Sequence, residues 1–318
     1  MLLWHVHGSW TTAFVQGGHD YLVPVTPDRD EDGLGRARTW DWPPNVHEVP
    51  LEQLDDCEPD VVLLQRTRDL ELARTHLRRE PGRDVPAVWV EHNTPRGDVG
   101  DARHPVADRD DITVAHVTHF NQVFWDTGWA PTTVVEHGIV DPGLRYTGEL
   151  PRAAVAVNEP VRRGRITGTD LLPHFSTYAP LDVFGMGVAG LASSLGVGGT
   201  RLAEHDDPPQ SLLHDLMAAR RVYLHPMRWT SLGLSLLEAM HLGLPVVVLA
   251  TTEAVEAVPA GAGVLSTRLD VLGSALRELV HEPERAREMG LQGRRAALDR
   301  YGLRRFLDDW DRLLKEVT

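Results

Sequence analysis

Lysine is almost missing from this chain: of 32 basic residues only Lys315 is a lysine, so cationic chemistry falls to arginine. Cysteine is equally scarce. The lone Cys57 excludes an intramolecular disulfide and fits a reducing compartment. Positive charge is in deficit, with 46 acidic residues and a net charge of −14. That balance excludes nucleic acid and anionic bilayer surfaces as partners, because both require a basic footprint. No stretch approaches the roughly 18 apolar residues of a membrane span, so no integral membrane contact is expected. The opening MLLWHVHGSW has no basic segment before its few apolar residues and does not read as a secretory signal. These absences predict a cytoplasmic protein.

What is present is ordinary globular composition, 42% apolar and 25% charged, in 318 residues. That length suits two domains of about 150 residues each. Apolar runs predict strands at 2–6, 19–25, 60–65, Ala87–Glu91, 112–117 and 132–136, with helices over 70–79 and 118–128. Residues 27–44 read as a long polar loop. Within it Asp28, Asp30, Asp32 and Gly33 imitate a calcium loop, but the twelfth position is Thr39 where a bidentate Glu is needed, so no metal is expected. Later runs predict strands at 153–157, 182–187, 222–224 and Val246–Leu249, and helices at 212–220, Leu269–His281 and Pro283–Tyr301. Strand alternating with helix in two series argues for two Rossmann-like domains with parallel sheets. The Gly- and Pro-containing segment 142–151 is the boundary between them.

The most informative stretch is VYLHPMRWTSLGLSLLEAMHLGLPVVVL, residues 222–249. A strand breaks at His225-Pro226, gives way to a turn at Thr230, Ser231 and Gly233, and enters an amphipathic helix ending at Gly243. A helix start at the carboxyl end of a strand offers free N–H groups and a positive dipole end to a phosphate. Thr230, Leu234 and Glu238 recur every four residues and are expected on one helical face. Glu238 then stands among apolar neighbours, where a carboxylate needs a hydrogen-bonding partner such as a ribose diol. The plainer reading is a helix-edge Glu paired with an arginine.

This stretch resembles the nucleotide-sugar site of retaining GT-B glycosyltransferases of the large family four group. Their pattern runs Pro, a few residues, Glu, two residues, Gly-Leu, three residues, Glu-Ala-Met, then Gly-x-Pro-Val-Val. The match is Pro226, Gly233-Leu234, Glu238-Ala239-Met240, Gly243 and Pro245-Val246-Val247. The first Glu of the pair is replaced by Thr230. The resemblance implies an α/β GT-B fold: an N-terminal Rossmann-like acceptor-side domain (1–145), a C-terminal nucleotide-sugar-binding domain (152–302) and a cleft between their sheets. The terminal helix, 303–318, is expected to cross back to the first domain. It also implies that Glu238 holds the ribose, that Thr230 stands at the sugar contact, and that backbone N–H groups of Ser231, Leu232, Gly233 and Leu234 face the diphosphate.

The family clamps the diphosphate with an Arg and a Lys. Aligned on Gly168-x-Asp170, Arg162 falls at the Arg position and Thr167 at the Lys position, with Arg163 and Arg165 as near substitutes. A solvated charge cluster is the alternative. His92, ending the Ala87–Glu91 strand, corresponds to the family's sugar-contacting His, or is a structural histidine. Gly8 and Ser9, after the first strand, correspond to its Gly-rich loop, or form a plain turn. The implied activity is metal-independent, cofactor-free transfer of a hexose from a nucleoside diphosphate sugar, GDP-mannose first and UDP-glucose second, which would make it a mannosyltransferase or glucosyltransferase. The acceptor would be a soluble saccharide or small molecule. A degenerate sugar-nucleotide-binding protein and a sugar-nucleotide epimerase remain as alternatives.

Overall fold

β-branched and aromatic runs form strands because their side chains pack well on a pleated, half-buried surface. The computed structural model describes residues 1–318 and places thirteen strands in two sheets, every ladder parallel. The first sheet contains β1 (Leu2–Leu3), β2 (Tyr21–Val25), β3 (Val46–Pro50), β4 (Val62–Leu64), β5 (Ala87–Glu91), β6 (Thr113–His116) and β7 (Thr132–Val134). Their order is β3-β2-β1-β4-β5-β6-β7. The second contains β8 (Leu150–Ala156), β9 (Leu181–Gly185), β10 (Leu202–Asp206), β11 (Arg220–His225), β12 (Val246–Leu249) and β13 (Gly263–Ser266), in the order β10-β9-β8-β11-β12-β13. Each order reverses beside the sheet's first strand, between β1 and β4 and between β8 and β11. Open parallel sheets form their ligand crevice at that reversal, beyond the carboxyl ends of the strands.

The chain divides into a first unit, residues 1–140 with 303–318, and a second unit, residues 141–302. In the first, Trp4, Leu64, Trp89 and Val114 form a core with Leu70, Leu72 and Leu77. In the second, Val155, Val183, Leu224 and Val247 pack with Leu272, Leu276 and Leu279 of the Leu269–His281 helix. The Leu303–Val317 helix buries Phe306, Trp310, Leu313 and Leu314, an i, i+4, i+7, i+8 stripe, and sets Trp310 edge-on to Trp10 at 5.7 Å. No helix is long and apolar enough to cross a membrane.

Several elements differ from the expectation, each for a local reason. β1 stops at Leu3 because the Gln65 side-chain amide donates to the Trp4 carbonyl at 2.8 Å and takes the place of a ladder partner. The helix expected over 70–79 begins earlier, as Thr67–Leu72, because buried Asp69 accepts the backbone N–H groups of Gln65 and Arg66. It then continues as a π-helical turn, Ala73–Leu77. The His119–Phe124 helix ends before Trp125, whose indole N–H donates to the Asn93 carbonyl at 2.8 Å. Three strands were not anticipated, β3, β10 and β13, and all three are sheet edges with half-exposed residues. In the loop that imitates a calcium site, Asp32 is paired with Arg68 at 2.6 Å.

Candidate functional site

In the second unit two segments flank the β8/β11 reversal. β11 ends at His225, turns at Pro226, and leads into the Leu234–Leu242 helix. That helix starts later than its periodicity suggests. Gly233 is its N-cap, with φ −71° and ψ 116°, so Thr230 lies in the preceding loop and not on the helical face of Leu234 and Glu238. The His225 ring fills the space beneath Gly233, and a Cβ there would overlap it, so this N-cap has to be a glycine. Burial drives the His225 pKa down to about 3 and keeps that imidazole neutral. Gly243 ends the helix with φ 91°, a conformation suited to glycine.

No side chain caps this helix; the Leu236 N–H donates to the Gly233 carbonyl at 3.0 Å, and the positive dipole end with the N–H groups before it is presented at the carboxyl end of β11. Ser231 and Leu232 are buried within the turn. Thr230 is half-buried, and its hydroxyl makes no hydrogen bond inside the chain. Glu238, one turn into the helix, is 6% exposed, with the His214 imidazole 3.9 Å from its carboxylate.

The segment after β8, a one-turn helix Pro160–Arg163 and the loop that follows it, carries the three arginines, and the structure treats them differently. Arg162 is paired with Glu159 and its side chain is 74% exposed. Arg165 is paired with Asp170 at 3.1 Å and is 78% exposed. Arg163 is half-buried and its guanidinium makes no hydrogen bond. Burial, reinforced by the neighbouring charge of Arg162 and only partly offset by the Glu159 carboxylate, lowers its pKa. Thr167, at the position of the family's Lys, is buried, donating to the Gly164 carbonyl at 3.1 Å and lying 2.9 Å from the Thr169 hydroxyl. A fourth guanidinium, Arg228, reaches this loop from the other side and was not singled out from the sequence. Its position two residues past Pro226 was the available signal.

In the first unit the carboxyl ends of the strands are lined by histidine. His92 follows β5, with ring-centre distances of 4.1 Å to His7, 5.0 Å to Trp10 and 6.4 Å to His137. His92 Nε2 and His137 Nδ1 are buried without partners. Burial first, then the neighbouring His7 and His137, holds the His92 pKa well below the usual histidine range. Burial, with His7 and Arg305 nearby, takes His137 down to about 3. His7 is the N-cap of the Gly8–Phe14 helix, so Gly8 and Ser9 form its first turn and not a loop. Buried Trp10, Ala13 and Phe14 give that short helix its inner face.

Glu91, the last residue of β5, was also not singled out, although a carboxylate closing an apolar strand was legible. It is 4% exposed and accepts the Asn93 backbone N–H at 2.6 Å, the His104 Nε2–H at 3.1 Å and the Trp89 indole N–H at 3.2 Å. Three donors satisfy this buried carboxylate and fix the backbone on either side of His92.

Residues 205–296 match the family described as glycosyl transferases group 1. That stretch contains the β11 turn, the Leu234–Leu242 helix and β12. No curated protein matches the chain. Solved structures share its fold along its whole length. Sucrose-phosphate synthase from Thermosynechococcus elongatus superposes with a TM-score of 0.70 at 16% identity, covering 99% of this chain and 98% of that one. HepE from Anabaena, solved with UDP and glucose, gives 0.71 at 15% identity and 99% coverage of both chains. A glycosyltransferase from Rickettsia africae gives 0.65 at 12% identity, covering 99% and 98%. The architecture of two Rossmann-like units with parallel sheets is therefore that of GT-B glycosyltransferases.

Proposed function

We propose that this chain is a retaining glycosyltransferase that moves a hexose from a nucleoside diphosphate sugar to a hydroxyl of a saccharide or other small acceptor. One arrangement carries the reading. At the strand-order reversal of the second sheet, a half-buried guanidinium without a partner, an uncapped helix N-terminus and a buried carboxylate one turn into that helix stand at the exits of β8 and β11.

Those three groups suit two parts of the donor, its diphosphate and its ribose. Arg163 and the helix N–H groups stabilise the diphosphate, whose negative charge grows as the glycosidic bond breaks. Glu238 accepts hydrogen bonds from the ribose hydroxyls. Thr230 offers a hydroxyl toward the sugar. In the first unit His92, kept neutral by burial, is suited to a neutral hydroxyl and not to a charge. The departing diphosphate takes the proton of the attacking acceptor hydroxyl, on the face the sugar bond leaves. Guanidinium and backbone N–H supply the positive charge in this scheme, so turnover persists in a chelator. UDP-glucose leads the candidate donors because the fold is shared with HepE, which has been solved with UDP-glucose. GDP-mannose is second.

A thermal-melt panel of UDP, GDP, ADP and dTDP tests the reading. A ligand at about a hundred times its Kd adds roughly 2.7 kcal/mol and lifts the midpoint by a few degrees. One base should dominate. Glu238→Ala should weaken that diphosphate roughly ten- to a hundredfold, the worth of about 1.5–3 kcal/mol for a hydrogen bond to a charged group. A folded wild type that responds to none of the four rejects the donor assignment.

A further inference from the structure

If one diphosphate is held by both the arginine loop and the β11 turn, the spacing of those two segments has to be fixed, and one residue spans them. Arg228 Nη1 and Nη2 donate to the two Asp170 oxygens at 2.5 and 3.0 Å, and Nη1 also donates to the Arg165 carbonyl at 2.9 Å. The backbone N–H groups of Arg228 and Trp229 both donate to the Ile166 carbonyl, at 2.9 and 3.2 Å. Gly168 closes the same joint. It has φ 71° and lies against Pro226 so closely that a Cβ would overlap the Pro226 carbonyl. The Arg228 guanidinium, ahead of Arg165, holds the Asp170 carboxyl below the usual carboxylate range.

We propose that Arg228 is a positioning residue that straps the arginine loop, 159–170, to the turn at 226–233, and so sets the distance between Arg163 and the N-terminus of the Leu234–Leu242 helix. This rests on the donor-binding reading above. The side chain is only 24% exposed, and its planar fork engages a carboxylate and a carbonyl together, which a flexible surface charge does not do. Thr167 makes the strap necessary. With no charged side chain there to reach the phosphates from within the loop, the position of Arg163 depends on how the whole loop is tethered.

A strap and a direct phosphate ligand give opposite results in a mutant cycle. If Arg228 acts only through the joint, Arg228→Met and Asp170→Asn loosen the same contact and the double variant is no worse than either single. If Arg228 grips phosphate itself, Asp170→Asn releases the guanidinium and affinity holds or rises, while Arg228→Met alone loses it.

The experiment uses the full chain: calorimetric titration of UDP and GDP into wild type, both single variants and the double, with ligand-free hydrogen exchange of the amides from Gly164 to Thr169. We expect each single variant to bind the preferred diphosphate roughly five- to twentyfold more weakly, as loss of a charged hydrogen bond implies, and the double to match them. Exchange across 164–169 should quicken about tenfold in all three, with β8 unchanged. Should Arg228→Met lower the melting midpoint substantially, Arg228→Lys serves instead, keeping the charge without the fork and still showing the faster exchange. Unchanged exchange, or full affinity in Asp170→Asn beside lost affinity in Arg228→Met, overturns the strap. A wild type that binds no diphosphate defeats the donor reading instead, and the exchange data then judge the strap alone.

Discussion

The two sheets share a topology and differ in what lines their carboxyl ends. In the first unit the strand exits carry imidazoles, His7, His92, His116 and His137, of which the last three are pushed toward the neutral form chiefly by burial. In the second they carry guanidiniums, glycine turns and an uncapped helix start. A dianionic diphosphate needs fixed positive charge, which neutral imidazoles do not provide. Neutral hydroxyls need donors and acceptors without charge, which imidazoles do provide. The fold supplies two equivalent strand-order reversals, and on the proposed reading the side chains at the strand ends suit a charged ligand to the second.

The largest test of that contrast is Arg163. Arg163→Met should lower turnover by roughly 10²–10³, about 3–4 kcal/mol, the loss seen when one preorganised donor to a developing anion is removed. Arg162 and Arg165 are exposed and already paired with Glu159 and Asp170, so methionine at either should change the rate less than about threefold. Initial rates of the three variants decide it. Equal losses at all three would dissolve the distinction between a free and a paired guanidinium on which the comparison rests.

Acid should break the first unit before the second. His137 and His116 have folded pKa values depressed to about 3 and about 4, against 6.5 in the unfolded chain. Above pH 6.5 both states are neutral and nothing is gained or lost. Below it the unfolded chain takes up protons that the folded one refuses, so stability falls as pH drops from 6.5 toward 4. At pH 5 each histidine costs about 2 kcal/mol. The second unit holds one group depressed as far, His225, while burial lowers His205 and His241 less. Hydrogen exchange at pH 7 and pH 5 should show the amides of β4, β5 and β6 losing more protection than those of β8, β11 and β12. A His116→Phe, His137→Phe variant should flatten the pH slope of the first unit. Equal loss in both units, or a slope the variant leaves intact, counts against assigning it to these rings.

How much of this was legible in the sequence depended on how local its causes were. β5, β12 and the helices Leu269–His281 and Pro283–Tyr301 were readable to the residue, because each is a run of one periodicity bounded by a proline, a glycine or a charge. β3, β10 and β13 were not, since edge strands face solvent on one side and their sequences, VHEVP, LAEHD and GVLS, lack the apolar density of a central strand. Thr230 was misplaced onto the helix because the spacing fits one, and the extended backbone of Gly233 over the His225 ring, where the helix starts, is invisible to periodicity. The three arginines look alike in sequence. Glu159 and Asp170 separate them only in the folded loop, and Arg228 meets Asp170 across 58 residues.

The smallest and sharpest prediction concerns Thr230, where the resembling glycosyltransferases carry a Glu. Its hydroxyl makes no hydrogen bond inside the chain, so Thr230→Ala should leave the melting midpoint within about a degree of wild type. A single neutral hydrogen bond is worth about 0.5–1.5 kcal/mol, so the donor-sugar KM should rise about two- to tenfold while the free diphosphate binds as before. Glu238→Ala should do the reverse, weakening the free diphosphate and the intact donor alike, because the ribose is common to both. Steady-state kinetics with the intact donor, set beside titration of the bare diphosphate, separate the two positions. If Thr230→Ala weakens the bare diphosphate as much as Glu238→Ala does, the turn before the helix reads the nucleotide and not the sugar, and the sugar contacts must come from residues outside that turn.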